Sequence, residues 1–280
     1  MQPFKYGTKH FLKTLAARSL NILRKPFLPL LKIVYLLDLE QHELIITQKI
    51  GPTKIEILQL VTSSRTYQRG RYEGTWEPEL ILLISEMPEG AMFLDIGANV
   101  GTYSLYAASL GHKVLAIEPS FVNSSTLSRN IMLNDLGDKI TNLKVALSNF
   151  DGFDRLEHHK AVSAGNSGAS LNTGQYFEKD SFVTLIETVP VFQLDSILTK
   201  FEFQPAMIKI DTDGNEVAIL EGARTTLKNL NLMTVLVEVS SEAEEVLVSE
   251  FLLPFGFVLL SGHKKSGKGY IKNDIFVRQH

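Results

Sequence analysis

The feature that most constrains the fold is a strand–turn–helix–strand pattern between residues 91 and 119. An apolar run, Ala91 to Leu94, leads into the glycine turn Asp95-Ile-Gly-Ala-Asn-Val-Gly101 and then into a helical segment, Thr102 to Leu110. A second apolar strand runs from Lys113 to Ile117. This is the βαβ unit of a doubly wound α/β sheet, which binds ligands at the carboxyl ends of its parallel strands.

The glycine spacing favours a carboxylate-bearing nucleoside over a dinucleotide. The dinucleotide fingerprint is G-x-G-x-x-G, and its second glycine lets the backbone approach a pyrophosphate. In this chain Asn99 stands where that glycine would be, between Gly97 and Gly101. Glu118, at the end of the second strand, is placed to accept hydrogen bonds from both ribose hydroxyls. With Asp95 at the end of the first strand, these residues predict a site for S-adenosylmethionine.

The composition excludes several other classes of protein. The chain has 280 residues and no cysteine, which excludes disulfides, thiolate metal sites and a cysteine nucleophile. Its 28 Lys and Arg against 31 Asp and Glu give a net charge of −3. The whole chain therefore has no excess of positive charge that would predict nucleic acid as a partner.

The basic residues are concentrated in an N-terminal arm, residues 1–38. Residues 1–37 contain seven Lys and Arg and no acidic residue, which leaves 21 basic and 31 acidic residues, a net charge of −10, in the rest of the chain. The pattern predicts a basic amphipathic helix. Three interpretations stay open: peripheral contact of residues 1–37 with an anionic membrane surface, an organelle transit peptide, or a helix packed on the domain with a solvated basic face. We expect a cytoplasmic protein, membrane-associated under the first interpretation.

Residues 39–90 are expected to form a hairpin and helical lead-in that packs on the catalytic domain. Residues 41–62 alternate in polarity around Gly51-Pro52, which predicts a β-hairpin, and a helical run follows from Glu79 to Met87. Trp76 is the only tryptophan. It is interpreted either as an anchor at the domain seam or as a wall of the cofactor cleft, and we include it among the cofactor-binding candidates.

The second half of the chain continues the α/β pattern. One apolar strand, Phe203 to Ile210, ends at Asp211, and another, Met233 to Val237, ends at Glu238. Because the carboxyl ends of parallel strands meet at one edge of a sheet, Asp95, Glu118, Asp211 and Glu238 are expected around one cleft. Helices are predicted over residues 215–227 and 242–252, and residues 255–260 and 273–278 are expected to close the sheet as an antiparallel pair.

A long connection, residues 150–190, separates two of the predicted strands. Connections longer than about 12–15 residues are usually lids or contain their own hairpin. We predict a hairpin plus a lid that shapes the acceptor site, with the Gly- and Ser-rich residues 163–170 as a loop.

Several segments together resemble the FkbM family of S-adenosylmethionine-dependent methyltransferases, from about residue 70 to the C-terminus. They are Phe93-Leu-Asp-Ile-Gly-Ala-Asn-Val-Gly101, Ala116-Ile-Glu-Pro119, Ala146-Leu-Ser148, Leu194-Asp-Ser196, Ile208-Lys-Ile-Asp-Thr-Asp-Gly-Asn-Glu216 and Leu220-Glu-Gly-Ala223. Within them we assign Ser148 to the cofactor site. Family members commonly have Asp-Val-Glu-Gly where this chain has Asp211-Thr-Asp-Gly214, so Asp213 keeps the charge with a shorter reach.

The resemblance implies an α/β fold with the doubly wound, Rossmann-like, seven-strand sheet of a class I methyltransferase. To this we add a C-terminal antiparallel strand pair and an N-terminal helical and hairpin extension, with residues 91–280 as the methyltransferase domain and a lid at about 150–190. The implied activity is O-methylation of a hydroxyl on a sugar, a polyketide or another small molecule. The partner is then a small-molecule hydroxyl acceptor.

A hydroxyl becomes a good nucleophile when a base takes its proton, so the site needs a carboxylate or an imidazole. The catalytic candidates are Asp211, Glu238 and His263, and Asp211 is the first choice. Its alternative role is to cap the helix that starts near Asn215. Asp211, Asp213 and Glu216 offer oxygen ligands for a hard cation, but the twelve-residue calcium loop is missing and no metal site is predicted.

Two other functions remain open from the sequence. An NAD-dependent oxidoreductase uses a similar sheet, although Asn99 in the glycine turn argues against it. A non-catalytic, membrane-associated protein that keeps the methyltransferase fold would account for the basic arm.

Overall fold

A computed structural model describes residues 44–159, 162–171, 183–264 and 270–279, without the side chains of residues 72–76 and 263–264. The predicted N-terminal arm, residues 1–38, lies outside the described residues. The strands are β1 Ile45–Ile50, β2 Ile55–Leu60, β3 Met92–Ile96, β4 Lys113–Ile117, β5 Ile140–Leu143, β6 Ala146–Leu147, β7 Gly152–His158, β8 Ala169–Leu171, β9 Leu185–Phe192, β10 Met207–Ile210, β11 Thr234–Val239, β12 Phe257–Lys264 and β13 Lys272–Arg278. The α-helices are α1 Ser64–Trp76, α2 Pro78–Ser85, α3 Thr102–Ser109, α4 Phe121–Leu133, α5 Leu194–Phe201, α6 Glu216–Glu221, α7 Arg224–Leu227 and α8 Glu242–Leu252.

The main sheet of the described chain has seven strands in the order β12-β13-β11-β10-β3-β4-β5. The strands from β11 to β5 are parallel, and β13 pairs antiparallel with both β11 and β12. The predicted doubly wound sheet with a closing antiparallel pair is therefore confirmed. This order brings the carboxyl ends of β10, β3 and β4 side by side.

Each face of the sheet has its own apolar core because successive strand residues point to opposite faces. Leu94, Ile208 and Val235 belong to one cluster, which includes residues of α5 to α8. Phe93, Met207 and Leu236 belong to the other, which includes residues of α2, α3 and the β1–β2 hairpin. Helices on both faces give a three-layer arrangement, and the strand ends remain at its edge.

The lead-in forms the predicted hairpin, since β1 and β2 pair antiparallel from Ile45 with Leu60 to Ile50 with Ile55. Helix α1 is an addition to the prediction. It starts at a capping box, in which the Ser63 hydroxyl accepts from the Thr66 N–H and the Ser63 N–H donates to the Thr66 hydroxyl. This reciprocal pair satisfies two N–H groups at the helix start and stabilises a helix with few apolar residues.

A second sheet, in the order β6-β9-β7-β8, covers the connection that was predicted to hold a hairpin. The consecutive strands β7 and β8 pair antiparallel from Leu156 with Leu171 to His158 with Ala169, which confirms the hairpin, and β9 pairs antiparallel with the other edge of β7. The Gly- and Ser-rich residues between β7 and β8 lie over the strand ends of the main sheet and are described with the site below.

The predicted helix over residues 215–227 is wrong as one continuous helix, because it breaks into α6 and α7. The Asp195 carboxylate of α5 accepts from the Thr225 N–H at 2.7 Å and the Thr226 N–H at 2.8 Å. These bonds satisfy two of the N–H groups that a new helix start leaves without intrahelical partners. Within the described residues, no helix combines the length and apolarity needed to cross a membrane.

Candidate active site

A cleft of about 650 Å³, open to solvent, lies at the carboxyl ends of β3, β4 and β10. This is the edge at which doubly wound sheets bind their ligands. Its walls come from α1, the glycine turn, α4, the loop ahead of β8 and the segment after β10. The lining residues are Arg69, Gly97, Ala98, Asn99, Thr102, Tyr103, Glu118, Pro119, Asn123, Asn166, Ser167, Ala169, Lys209, Asp211, Thr212 and Asp213.

The glycine turn depends on backbone conformations that most side chains disfavour. Gly97 has φ +76°, and a Cβ added there would lie 1.8 Å from the Asp211 carbonyl oxygen. The turn and the end of β10 are therefore in direct backbone contact, and only glycine at position 97 allows this close approach. Gly101, at φ +89°, precedes the first residue of α3. Asn99 has φ +53°, a left-handed conformation that asparagine tolerates better than most residues.

Glu118 is held in a fixed position at the end of β4. Its Oε2 accepts from the Asn99 N–H at 2.9 Å and its Oε1 accepts from the Ser120 N–H at 3.0 Å. Burial raises the pKa of Glu118 to about 7, although the two N–H groups oppose this shift. Oε1 accepts a second, longer bond from Asn123 Nδ2 at 3.5 Å, whereas Oε2 keeps the capacity to accept a further hydrogen bond from a ligand.

A buried lysine links the ends of β3 and β10. The Lys209 Nζ lies 3.3 Å from Asp95 Oδ1 and 3.7 Å from Asp211 Oδ2, and donates to the Gly97 carbonyl oxygen at 3.3 Å. The contact with Asp95 is an ion pair rather than an aligned hydrogen bond. The Asp95 side chain is fully buried, Lys209 is 3% exposed and Asp211 is 27% exposed. Lys209 therefore links the buried carboxylate of Asp95, below the cleft, to the partly exposed carboxylate of Asp211 at the cleft surface.

The loop after β10 is closed by Glu216. Its Oε1 accepts from the Thr212 N–H at 2.9 Å, the Thr212 hydroxyl at 3.0 Å and the Gly214 N–H at 3.3 Å. Burial and the nearby charge of Glu244 raise the pKa of Glu216 to about 8. Glu216 thus makes the bonds to loop N–H groups at the start of α6, the role that was considered for Asp211.

Residues 162–168, which we call the strap, cross the mouth of the cleft. The Asn166 carbonyl accepts from Asn99 Nδ2 at 3.1 Å and from Asn123 Nδ2 at 3.2 Å. The Gly168 N–H donates to Asp213 Oδ2 at 2.8 Å. Further bonds from the strap to Asn123, Arg69 and Ser63 complete its attachment. The strap is therefore bonded to the glycine turn, α4, the loop after β10 and the region of α1.

An apolar recess of about 350 Å³ adjoins the polar cleft and shares Gly97, Pro119, Ala169 and Thr212 with it. Its other lining residues are Ile96, Ile117, Val145, Ala146, Leu147, Leu156, Leu171 and Asn215. A polar cleft joined to an apolar recess fits a ligand that has both a flat apolar part and several polar groups.

The part of the chain that forms most of this cleft matches a known protein family. Residues 95–259 match the family model described as the methyltransferase FkbM domain. The chain belongs to the FkbM methyltransferase family. It is 24% identical over 199 residues to hexuronic acid methyltransferase AglP of Haloferax volcanii, covering 69% of this chain and 76% of that protein. It is 38% identical over 162 residues to methyltransferase sdnD of Sordaria araneosa, covering 50% of this chain and 62%, less than two thirds, of that protein.

Among solved structures, the chain resembles a methyltransferase FkbM from Methylobacillus flagellatus. The TM-score is 0.47 with 16% identity, over 68% of this chain and 43% of that one. The family assignment makes this chain an enzyme that transfers methyl groups, which favours methyl transfer over the oxidoreductase alternative. FkbM membership and the Rossmann-like fold imply the use of S-adenosylmethionine.

The residues of the FkbM cleft fit that cofactor on three observations. Glu118 is fixed with acceptor capacity left for a ribose hydroxyl, and the recess beside Pro119 presents apolar side chains to a base. Asn99 Oδ1 is buried and has no hydrogen-bond partner among the described residues. A cofactor ammonium or hydroxyl group would supply that missing donor.

The structure places the predicted site residues at different distances from the cleft. Gly97, Asn99, Glu118 and Asp211 line the cleft, with Asp95 and Gly101 directly behind it. Ser148 is buried outside the cleft lining, and its N–H donates to the Phe192 carbonyl at 3.0 Å.

Glu238 lies in β11, level with Asp211 because Ile210 pairs with Val237, but it does not line the described cleft. The His263 backbone pairs with Asn273, two strands further along the sheet. The side chains of His263 and Trp76 lie outside the described residues, so their assigned roles stay predictions. Among the described residues, no group of three or more carboxylate or imidazole side chains is arranged to hold a metal ion.

Sequence reasoning missed Lys209, Arg69 and Asn123. Lys209 sits inside an apolar run, where a charged residue is itself a signal, because buried lysines need a charged partner. Arg69 belongs to α1 and Asn123 to α4, and only the tertiary structure brings these two polar side chains to the cleft.

Proposed function

We propose that this FkbM enzyme transfers the methyl group of S-adenosylmethionine to a hydroxyl of a small molecule, and that the acceptor is a saccharide. The observation that carries the proposal is the Asp211 carboxylate, which lies at the cleft surface beside the glycine turn and is held by the buried ammonium of Lys209. A fixed and partly exposed carboxylate next to a cofactor site is the group that a hydroxyl nucleophile requires.

In this proposal the cofactor occupies the cleft and the adjoining recess. Glu118 accepts hydrogen bonds from the two ribose hydroxyls, the recess takes the adenine, and Asn99 bonds the amino-acid part. When bound, S-adenosylmethionine supplies an electrophilic methyl group and takes up the electron pair of the breaking carbon–sulfur bond. The N-terminus of α3, which follows the glycine turn, would attract a cofactor carboxylate.

The acceptor lies on the Asp211 side of the cleft. Asp211 Oδ2 accepts the proton that the hydroxyl loses as its oxygen bonds to the methyl carbon. Lys209 orients the Asp211 carboxylate. Asn166, Ser167 and Asp213 give this side of the cleft amide, hydroxyl and carboxylate groups suited to a polyol. Similarity to a protein named as a hexuronic acid methyltransferase supports a saccharide acceptor.

The experiment is a transfer assay with isotopically labelled S-adenosylmethionine on a panel of mono- and disaccharides, with a macrolide polyketide as the competing class. A methyl ether on a hydroxyl survives mild alkali, whereas a methyl ester on a carboxylate is hydrolysed. We expect an alkali-stable product from at least one saccharide. Transfer to the macrolide alone, or only alkali-labile product, would overturn the proposal.

The role of Asp211 is tested with Asp211→Asn against Asp138→Asn, an exposed aspartate in the turn between α4 and β5. Asp211→Asn should lower kcat by about 10²–10⁴-fold, because the base is lost, while binding of S-adenosylhomocysteine changes by only about threefold. Asp138→Asn should behave as the wild type. Full activity in Asp211→Asn would exclude it as the base.

A further inference from the structure

The lead-in hairpin, β1 and β2, is bonded to α4, although it precedes the family domain, which begins at residue 95. β2 pairs with β1 along one edge, and asparagine side chains meet its other edge. The Leu58 N–H donates to Asn134 Oδ1 and the Leu60 N–H donates to Asn130 Oδ1, both at 2.8 Å. Asn130 lies in α4 and Asn134 directly follows it, about one helical turn further on. The two amides therefore take the place of a neighbouring strand.

The two asparagines differ in the bond that the other end of each amide makes. Asn134 Nδ2 donates back to the Leu58 carbonyl at 2.8 Å, so this amide bonds the N–H and the carbonyl of one β2 residue. Asn130 Nδ2 donates instead to the Val100 carbonyl of the glycine turn at 2.9 Å. Asn130 is fully buried. Its amide therefore joins the hairpin to the turn, whereas that of Asn134 holds the hairpin.

The Val100 carbonyl belongs to the segment that fixes the Glu118 carboxylate. The Asn99 N–H, one residue earlier, donates to Glu118 Oε2 at 2.9 Å. Gly101, one residue later, has φ +89°, and a Cβ added there would lie 2.1 Å from Leu127 Cδ1 of α4. The turn and α4 are therefore in close contact, and the bond to Val100 restrains the peptide units beside Glu118.

A second bond joins the hairpin to the far side of the turn. Gln59 Nε2 of β2 donates to Thr102 Oγ1 at 3.1 Å and to Gln48 Oε1 of β1 at 2.9 Å. Gln59 is 1% exposed, and Thr102 lines the cleft as the first residue of α3. The hairpin thus holds the residues on both sides of Gly101, Val100 through Asn130 and Thr102 directly.

We propose that Asn130 is a positioning residue for the cofactor, through which the lead-in hairpin fixes the conformation of the glycine turn. This inference rests on the proposed placement of S-adenosylmethionine in the cleft. Asn130 does not line the described cleft, so it acts through Val100 and the turn, and the chemistry stays with Asp211. The unit that binds the cofactor therefore includes β2, upstream of the family domain.

The alternative is that Asn130 only anchors the hairpin. In that case Asn130 and Asn134 do the same work, and loss of either amide changes cofactor affinity by the same factor. If Asn130 positions the turn, its loss alone weakens cofactor binding. Because coupling between two sites is reciprocal, the bound cofactor must then also stabilise the bond between Asn130 and Leu60.

The test compares the full-length wild type with Asn130→Leu and Asn134→Leu, two substitutions that remove an amide and keep a side chain of similar size. Calorimetry measures the affinity of each protein for S-adenosylhomocysteine, and urea denaturation measures its free energy of unfolding. Residue-resolved hydrogen exchange follows the Leu60 N–H with and without S-adenosylhomocysteine. The amides of β12 and β13, at the far edge of the main sheet, serve as the reference.

Asn130→Leu should weaken the affinity for S-adenosylhomocysteine by about tenfold, because a buried bond that fixes the turn is lost. Asn134→Leu should weaken it by less than about threefold, since its amide is not bonded to the turn. Both should lower the free energy of unfolding, because each leaves backbone groups of β2 without a partner. In the wild type, saturating S-adenosylhomocysteine should slow exchange of the Leu60 N–H by about tenfold relative to the reference amides, and this slowing should vanish in Asn130→Leu.

Three results would overturn the inference. Equal affinities of Asn130→Leu and Asn134→Leu would assign Asn130 to the hairpin alone and leave the proposed function intact. If Asn130→Leu does not fold, exchange in the wild type decides, and a Leu60 N–H that S-adenosylhomocysteine does not slow would remove the inference. Absence of S-adenosylhomocysteine binding to the wild type would remove the proposed cofactor site and this inference together.

Discussion

Replacing Lys209 with methionine tests how strongly this lysine links Asp95, at the end of β3, to Asp211, at the end of β10. The fully buried Asp95 would lose its ammonium partner and keep the hydroxyl of Ser104, which donates to its Oδ2 at 2.6 Å. Breaking a buried ion pair by removing one partner typically costs about 3–5 kcal/mol. We expect Lys209→Met to lower the free energy of unfolding by this amount, measured by urea denaturation.

Double-mutant cycles separate the two carboxylate partners of Lys209. Asp95 is fully buried and 3.3 Å from the Nζ, whereas Asp211 is 27% exposed and 3.7 Å from it. Combining Lys209→Met with Asp95→Asn should therefore show a coupling energy of about 2–3 kcal/mol, because removing both charges leaves no unpaired buried ion. The cycle with Asp211→Asn should give about 1 kcal/mol or less, since solvent screens that pair.

Two results would refute this reasoning. A loss below about 1 kcal/mol in Lys209→Met would show that the buried ion pair does not stabilise the sheet. A coupling energy with Asp211 equal to or larger than that with Asp95 would place the main electrostatic partner at the cleft surface instead of below it.

Three further predictions concern the cleft and the loops behind it. Affinity for S-adenosylhomocysteine, measured by calorimetry, should rise about tenfold from pH 6 to pH 8. The reason is that the pKa of Glu118 is about 7 and its ionised form accepts the ribose hydrogen bonds. The Glu118→Gln variant should show no such rise. Burial raises the pKa of Glu216 from 4.5 to about 8, so the folded state holds the extra proton and the free energy of unfolding falls as pH rises through that range. Urea unfolding of Glu216→Gln should show a shallower fall, and an unchanged pH profile would contradict the shift. Gly97→Ala should destabilise the fold by more than about 2 kcal/mol in thermal unfolding, because residue 97 has a positive φ and the new Cβ would clash with the Asp211 carbonyl. Gly137→Ala is the control, since nothing lies within 4 Å of the Cβ added there.

The sequence predicted the parts of the site that depend on local patterns. The apolar runs ending at Asp95, Glu118 and Asp211 indicated parallel strands, and parallel strands bring their carboxyl ends to one edge. The same reasoning placed Glu238 in the cleft. The structure puts its strand position level with Asp211 but leaves it out of the cleft lining, because β11 lies one strand further from the glycine turn.

The remaining parts of the site depend on contacts between distant segments. The partner of Lys209 is identified only when β10 is placed beside β3, which puts Lys209 next to Asp95. The strap carries Gly and Ser residues without a pattern of its own, and Asn99, Asn123 and Asp213 fix it through bonds spanning 42 to 67 residues of sequence. Such pairings have no local signature, so periodicity and spacing cannot predict them.

The central claim is that this cleft binds S-adenosylmethionine with Glu118 on the ribose. Isothermal titration of the purified chain with S-adenosylhomocysteine tests it directly, beside Glu118→Ala and the exposed-site control Glu89→Ala. We predict one binding site per chain, an affinity about 10- to 100-fold weaker in Glu118→Ala because hydrogen bonds to a charged group are lost, and no change in Glu89→Ala. Absence of binding to the wild-type chain, or equal affinity in Glu118→Ala, would contradict the account.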